Sequence, residues 1–183
     1  MALVESVPLR AGDVLAPFSL KDPSGKPHDF RSLFGPKGLL VVFTCNHCPY
    51  AIAVWPRLVR LCAEAKSLGV GTAAVNPNIH PDYPEDAAPR MAEKIREWAI
   101  PFPYLVDETQ ETARAWKAQC TPDPYLLDAA GKLFYHGRID DNWKDESAVK
   151  ARDLADAIAA LAAGRPAPRS APPSMGCSIK WRR

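Results

Sequence analysis

The sequence predicts an α/β protein: a central mixed sheet flanked by helices, with an N-terminal β-hairpin before it and a C-terminal tail after it. Three observations carry this prediction. The runs 38–43 (GLLVVF) and 70–75 (VGTAAV) are apolar without alternation, as strands buried on both faces must be. Each is followed by a segment whose apolar residues recur at helical spacing, one opening at Pro49 and the other at Pro89. Farther on, Tyr125-Leu126-Leu127-Asp128 and Leu133-Phe134-Tyr135-His136 flank the turn Ala129-Ala130-Gly131-Lys132, which reads as a hairpin closing the sheet.

In chain order, Phe18-Ser19-Leu20 and His28-Asp29-Phe30 around an Asp22-Pro23-Ser24-Gly25-Lys26 turn give the first small hairpin. A short turn at 32–34 is ended by Gly35-Pro36-Lys37-Gly38, and the first core strand follows. The first helix carries Ile52, Trp55, Leu58, Val59, Leu61 and Cys62, and Gly69 stops it near Ser67. Residues 76–88 are rich in Pro, Asn and Asp and read as a long surface loop, of a length that inside a compact domain is often functional. The next helix places Met91, Ile95 and Trp98 on one face; a short strand at 103–106 and a short helix at 109–118 lead to the hairpin. A final helix over 147–163 turns Ala151, Leu154, Ile158 and Leu161 inward. The domain is thus expected over 1–163. Residues 164–173 form a Pro-, Ala- and Arg-rich extended linker, and the tail to 183 is expected to dock, since Ile179 and Trp181 are not residues of a merely solubilising segment.

Length and charge exclude several classes. The 183 residues suit one domain with a decoration, and a net charge of +2, with basic residues scattered, does not indicate a nucleic-acid or anionic-membrane partner. Lys180, Arg182 and Arg183 read as a solvated basic end. The first twenty residues contain Glu5, Arg10 and Asp13 and lack the apolar core of a secretory signal, so the expected location is cytoplasmic. Five cysteines cannot all be paired within one chain, and in a reducing compartment they read as reactive or buried thiols.

The chemistry concentrates in Cys45-Asn46-His47-Cys48, which follows a buried strand and opens a helix. Unpaired N–H groups and the helix dipole there favour an anion and depress a thiol pKa, and the thiolate is the species that attacks disulfides. A closed zinc site would need four ligands, and neither a second CxxC nor a His pair accompanies this one. No resident cofactor is expected beyond the dithiol/disulfide itself, and no metal.

A strand–CxxC–helix unit in the order β-α-β-α-β-α-β-β-α resembles the thioredoxin fold over about 12–163. The longer hairpin start and the helix at 89–99 resemble its peroxiredoxin and TlpA-type, AhpC/TSA-related branch. Three motifs, Cys45 to Tyr50 (CNHCPY), Cys120 to Pro124 (CTPDP) and Gly176 to Trp181 (GCSIKW), resemble those of thioredoxin-like proteins sometimes called peroxiredoxin-like. That resemblance implies a thiol–disulfide oxidoreductase. It makes Cys45 the exposed attacking thiol, Cys48 the resolving thiol, and His47 a cationic neighbour that favours the reduced form, with a potential between about −270 and −180 mV. It makes Thr121-Pro122 a cis-proline element that presents the Thr121 backbone to an extended substrate strand. Partners would be a disulfide-containing protein or small thiol, with a reductase or thiol electron donor.

Other features stay open at this level. Cys120 lies beside the proline and Cys177 on the tail; Cys177 reads as a further resolving thiol or a partner of Cys120, or the two as packing residues, whereas Cys62 reads as core. Thioredoxin's buried acid is replaced by Leu39, so proton handling falls to Asp123 or His47, or is slow. Counting back from Cys48 gives Cys45 and Val41 where peroxiredoxins carry Thr and Pro, which disfavours a thiol-dependent peroxidase. A non-catalytic binding module is the third alternative. His28, His80 and His136 are expected to be solvated, Asp140-Asp141 an exposed turn, and Trp55, Trp98 and Trp116 core.

Overall fold

A computed structural model describes residues 3–182. Its elements are β1 (Leu3–Glu5), β2 (Ser19–Lys21), β3 (Pro27–Asp29), β4 (Gly38–Phe43), α1 (Pro49–Ser67), β5 (Val70–Asn76), α2 (Ala88–Glu97), β6 (Tyr104–Val106), α3 (Glu111–Ala115), β7 (Cys120–Thr121), β8 (Asp123–Asp128), β9 (Leu133–His136), α4 (Asp153–Ala162) and β10 (Met175–Ser178). Single 3₁₀ turns lie at Phe30–Leu33, Pro84–Asp86 and Glu146–Ala148.

Seven strands form the main sheet in the order β3-β2-β6-β5-β4-β8-β9. β4 pairs parallel with β5 and antiparallel with β8, so the central strand is bonded on both sides and buried on both faces. Alternation along it sends side chains to two cores. Leu40 and Val42 join Trp55 and Leu58 of α1, Met91 of α2 and Ile158 of α4. Leu39, Val41 and Phe43 join Phe30, Trp116 and Tyr125 on the opposite face. A second sheet, β1-β10-β7, brings together both ends of the chain and the strand before Pro122.

Trp116 anchors the second core. It is fully buried, edges onto Phe43 and Tyr125 at centroid separations of 5.7 and 5.3 Å, and donates Nε1–H to the Ala16 carbonyl at 2.8 Å. Trp116→Ala is expected to cost ~3–5 kcal/mol, seen as a lower urea midpoint with an unchanged denaturant slope.

The structure corrects several expectations. The last helix starts at Asp153, because Asp145 first caps a separate 3₁₀ turn through Ser147 N–H and the chain leaves that turn extended at Val149. The 109–118 helix is only the Glu111–Ala115 turn and a half. Ile52, expected on the inner face of α1, is 42% exposed. Asn76, Asn78 and Asp86 are fully buried, so 76–88 is not a mere surface loop. His136 is buried against Asp123 at 3.0 Å, and His28 is half-buried against Asp22. Asp140, expected in an exposed turn, is half-buried, with its carboxylate bound by the Arg57 guanidinium at 2.6 Å. Of the basic end, Lys180 is half-buried and Arg182 exposed; Arg183 lies outside the described residues. No described helix is long and apolar enough to cross a membrane.

Candidate active site

The end of β4 and the start of α1 place the CxxC. Thr44 N–H donates to the Val75 carbonyl at 2.9 Å, holding the chain to β5 up to the first cysteine. Cys48 is then the N-cap of α1: its backbone is extended, its carbonyl accepts from Ile52 N–H at 2.9 Å, and Pro49 occupies the first turn, where a missing N–H has no consequence. The strand before Pro122 faces this turn. The Thr121-Pro122 peptide is cis. The Cys45 sulfur lies 3.2 Å from the Thr121 hydroxyl, and the Cys48 thiol lies 3.2 Å from the Thr121 carbonyl, to which it donates when protonated.

A third sulfur completes the site. β10 runs antiparallel to β7 with Cys177 opposite Thr121 and Ser178 opposite Cys120. Side chains of directly opposed residues share a face of the ladder, so Cys177 points with Thr121 toward the CxxC, whereas Cys120 and Ser178 point away. Cys45, Cys48 and Cys177 accordingly form one small buried cluster with Ala51. All are free thiols. Cys120 instead sits 3.9 Å from the Ser174 hydroxyl, raised above the ordinary thiol range chiefly by burial, and Cys62 is raised by burial inside the core.

Charge within the cluster belongs to Cys48. The Cys45 thiol beside it, then the Cys177 thiol and the N–H groups of Ala51 and Cys177, outweigh burial and lower Cys48 to about 5. Burial, first, and then the neighbouring Cys48 and the Asp86 carboxylate hold Cys45 well above the ordinary range. Cys177 is pushed up to about 12, by burial first and by Cys48 second. The pair therefore shares its proton unequally, with Cys45 keeping it. Contrary to the expectation that Cys45 faces solvent, neither it nor Cys48 has exposed surface.

His47 also departs from its expected place. Its Nδ1 is bonded to the Asp86 carboxylate and its ring stacks on Tyr83 at 4.6 Å, so it turns toward the 76–88 segment. Asp86 further accepts from Asn46 N–H at 2.6 Å and from the Asn76 amide at 3.1 Å, while Asn46 itself is held by Tyr104 and the Glu85 carbonyl. This buried acid comes from the 76–88 segment, whereas Leu39 packs in the apolar cluster with Phe30, Trp116 and Tyr125. Nothing local in Pro84-Glu85-Asp86 singles it out; the only signal was the length of the loop that carries it. Asp123, the other candidate for proton handling, binds His136, Tyr125 and Ser174 and so fastens the tail rather than serving Cys45.

Among the described residues, Cys45, His47 and Asp86 are the group able to offer metal donors, with donor atoms within 4.8 Å of one another. Three donors would leave a fourth position open, as catalytic rather than structural zinc sites do. Here both carboxylate oxygens and the facing imidazole nitrogen are already engaged with protein groups. Beside Pro122 a cleft of about 250 Å³ is bounded by Val54, Ile139, Trp143 and Met175.

A mixed central sheet with a dithiol at the N-terminus of the helix after its central strand, opposed by a cis-proline, defines a thioredoxin-like redox protein. A family model described as the AhpC/TSA family matches residues 11–136, and the chain belongs to that family. The chain is similar over its full length, and over 97% of the other, to the crystal structure of an uncharacterized conserved protein from Geobacillus kaustophilus, at 38% identity and a TM-score of 0.94. A hypothetical protein from Sinorhizobium meliloti 1021 matches at 31% identity and a TM-score of 0.92, covering 97% of this chain and 98% of that one. The peroxidoxin BcpB from Mycobacterium tuberculosis shares the fold at 16% identity and a TM-score of 0.63, covering 86% of this chain and 99% of that one. Comparison with curated proteins found no match.

Proposed function

We propose that the chain is a thiol–disulfide oxidoreductase whose redox group is the Cys45–Cys48 dithiol, with Cys48 rather than Cys45 as the attacking thiolate. The observation that carries this reading is the N-cap position of Cys48, where a neighbouring thiol and N–H groups hold its charge. The motifs CNHCPY, CTPDP and GCSIKW support the same reading through their resemblance to peroxiredoxin-like proteins of the thioredoxin class. In the reducing direction, the Cys48 thiolate attacks one sulfur of a substrate disulfide, forming a mixed disulfide and releasing the other sulfur as a thiolate. Cys48 then no longer carries the charge that helped to keep Cys45 protonated. Cys45 yields its proton to the His47–Asp86 pair and attacks the Cys48 sulfur. The Cys48–substrate bond breaks, the second substrate sulfur leaves as a thiolate, and the two thiolates take up that proton and one from solvent. The products are a Cys45–Cys48 disulfide and two substrate thiols. A reductase or small thiol resets the dithiol.

Peptide mapping after equilibration in glutathione redox buffers tests this. The expected result is a Cys45–Cys48 disulfide with a potential between about −270 and −180 mV, toward the oxidising end because the reduced form holds a stabilised thiolate. Insulin-disulfide reduction by the dithiothreitol-reduced protein is expected to be unchanged by a chelator, since no step uses a metal. No disulfide formation with both thiols intact would point to a binding module instead, and rapid hydroperoxide consumption to a thiol-dependent peroxidase.

A further inference from the structure

The thiol chemistry of Cys45 and Cys48 leaves the tail unexplained, and the tail is fastened more firmly than a loose end requires. Ser6 and Ser174 exchange hydrogen bonds, Ile179 N–H donates to the Gln119 carbonyl at 3.0 Å, and Lys180 N–H donates to the Asn78 side chain at 2.8 Å. Gln110 brackets the end of the chain, donating to the Lys180 carbonyl and accepting from Arg182 N–H, both at 2.7 Å. These contacts hold one extended strand against the Thr121 backbone, the place where an extended substrate would pair. The residue they set opposite Thr121 is a cysteine.

We propose that β10 is an intramolecular occupant of the substrate-strand position and that Cys177 is a third redox-active thiol, exchanging with disulfides formed at Cys48. The inference rests on the dithiol reading of Cys45 and Cys48. With the tail docked, both CxxC sulfurs lack exposed surface, so a substrate disulfide reaches Cys48 only when β10 has left. When the tail returns, it carries Cys177 to the sulfur that now bears the substrate. Cys177 attacks Cys48, the Cys48–substrate bond breaks, and the substrate leaves as a thiolate that takes the Cys177 proton. The oxidising equivalents come from the substrate disulfide, and the product is a Cys48–Cys177 disulfide. Attack by Cys45 on that bond gives Cys45–Cys48 and returns Cys177 as a thiol, a rearrangement that needs no further oxidant. Two features favour the transfer. Lys180 lies close enough to stabilise a Cys177 thiolate, and its ammonium is held at the Ser178 carbonyl, 2.5 Å away. A tether of ten residues, 164–173, also gives a docked tail an effective concentration on the order of millimolar. Cys120 takes no part, because the ladder turns it to the other face.

Cys45→Ser tests this, with oxidised and reduced glutathione as the only redox partners. After equilibration across a range of ratios, acid quenching and alkylation in denaturant, the expected outcome is that two of its four remaining thiols are protected. Peptide mapping is expected to join Cys48 to Cys177. A Cys48–glutathione mixed disulfide that persists, or four free thiols even at the most oxidising ratio, overturns the proposal. A Cys177→Ser protein run in parallel separates this inference from the one beneath it. If that variant still forms Cys45–Cys48 while Cys45→Ser forms no Cys48–Cys177 bond, the relay fails and the dithiol reading stands. If Cys177→Ser forms no disulfide, the dithiol reading itself falls.

Discussion

Cys48→Ser is expected to reduce disulfide-exchange turnover by ~10³-fold or more, because it removes the attacking sulfur rather than a group that assists it. The same substitution should erase the acid transition of the thiolate absorbance near 240 nm, whose midpoint in the parent protein is expected at about pH 5. Cys45→Ser should keep a transition but shift it upward, since the Cys45 thiol is the largest single contribution to the low Cys48 value. If instead the transition survived in Cys48→Ser and vanished in Cys45→Ser, the charge would lie on Cys45 and the assignment would be reversed. Stability should follow the same titration. The folded protein releases the Cys48 proton above about pH 5, whereas an unfolded thiol keeps it to about 8.5. Between those values the unfolded chain binds more protons, so the contribution of this thiol rises with pH across the window and is lost as pH falls through about 5. Cys45, raised by burial, adds a slope of the opposite sign above the unfolded value. A urea-stability series of the reduced protein from pH 5 to 8 should therefore flatten in Cys48→Ser.

Local patterns made some parts of this molecule legible and hid others for a physical reason. The six apolar residues of β4 could only be a strand buried on both faces, and Pro49 could only open a helix or break one; together they located the dithiol. What local pattern cannot show is a bond between distant segments. Asp86 bonds the backbone of Asn46 across forty positions, and the tail Ser174 bonds Asp123 across fifty-one. Both acids sit among Pro, Asn or Asp residues that signal turns, and turn residues suggest solvent unless a buried donor waits for them. His136 misleads in the same way: at the end of a hairpin strand it looks solvated, yet it closes a buried network on Asp123. The order of the cysteines was read from the motif alone. In the structure Cys48 is the N-cap residue and is lowered chiefly by the adjacent Cys45 thiol, a contact that spacing does not show.

Gly176→Ala should release the tail. A Cβ at this position would lie 2.0 Å from the Thr121 carbonyl oxygen and 2.7 Å from its carbon. Both are backbone atoms of the strand paired with β10, so no side chain can step aside to make room. The strand must move instead, and with it go the Cys177 N–H and thiol that help to hold charge on Cys48. Two consequences point in different directions and so cannot both come from general damage to the fold. The midpoint of the thiolate transition should rise, because two of the contacts that lower Cys48 are gone. Alkylation of Cys48 at a fixed pH above both midpoints should nonetheless become faster, since its cover is open; a loss of only ~1.4 kcal/mol of docking energy raises the open fraction ~10-fold. The urea midpoint of the domain should fall by less than in Trp116→Ala, because of the two buried clusters only the second loses tail residues, Ile179 and the partly buried Trp181. Slower alkylation, or an unshifted midpoint with the tail still protected from hydrogen exchange, would mean that β10 does not govern access to the dithiol. A faster reaction with a raised midpoint would make the tail both the cover of this site and a contributor to its chemistry.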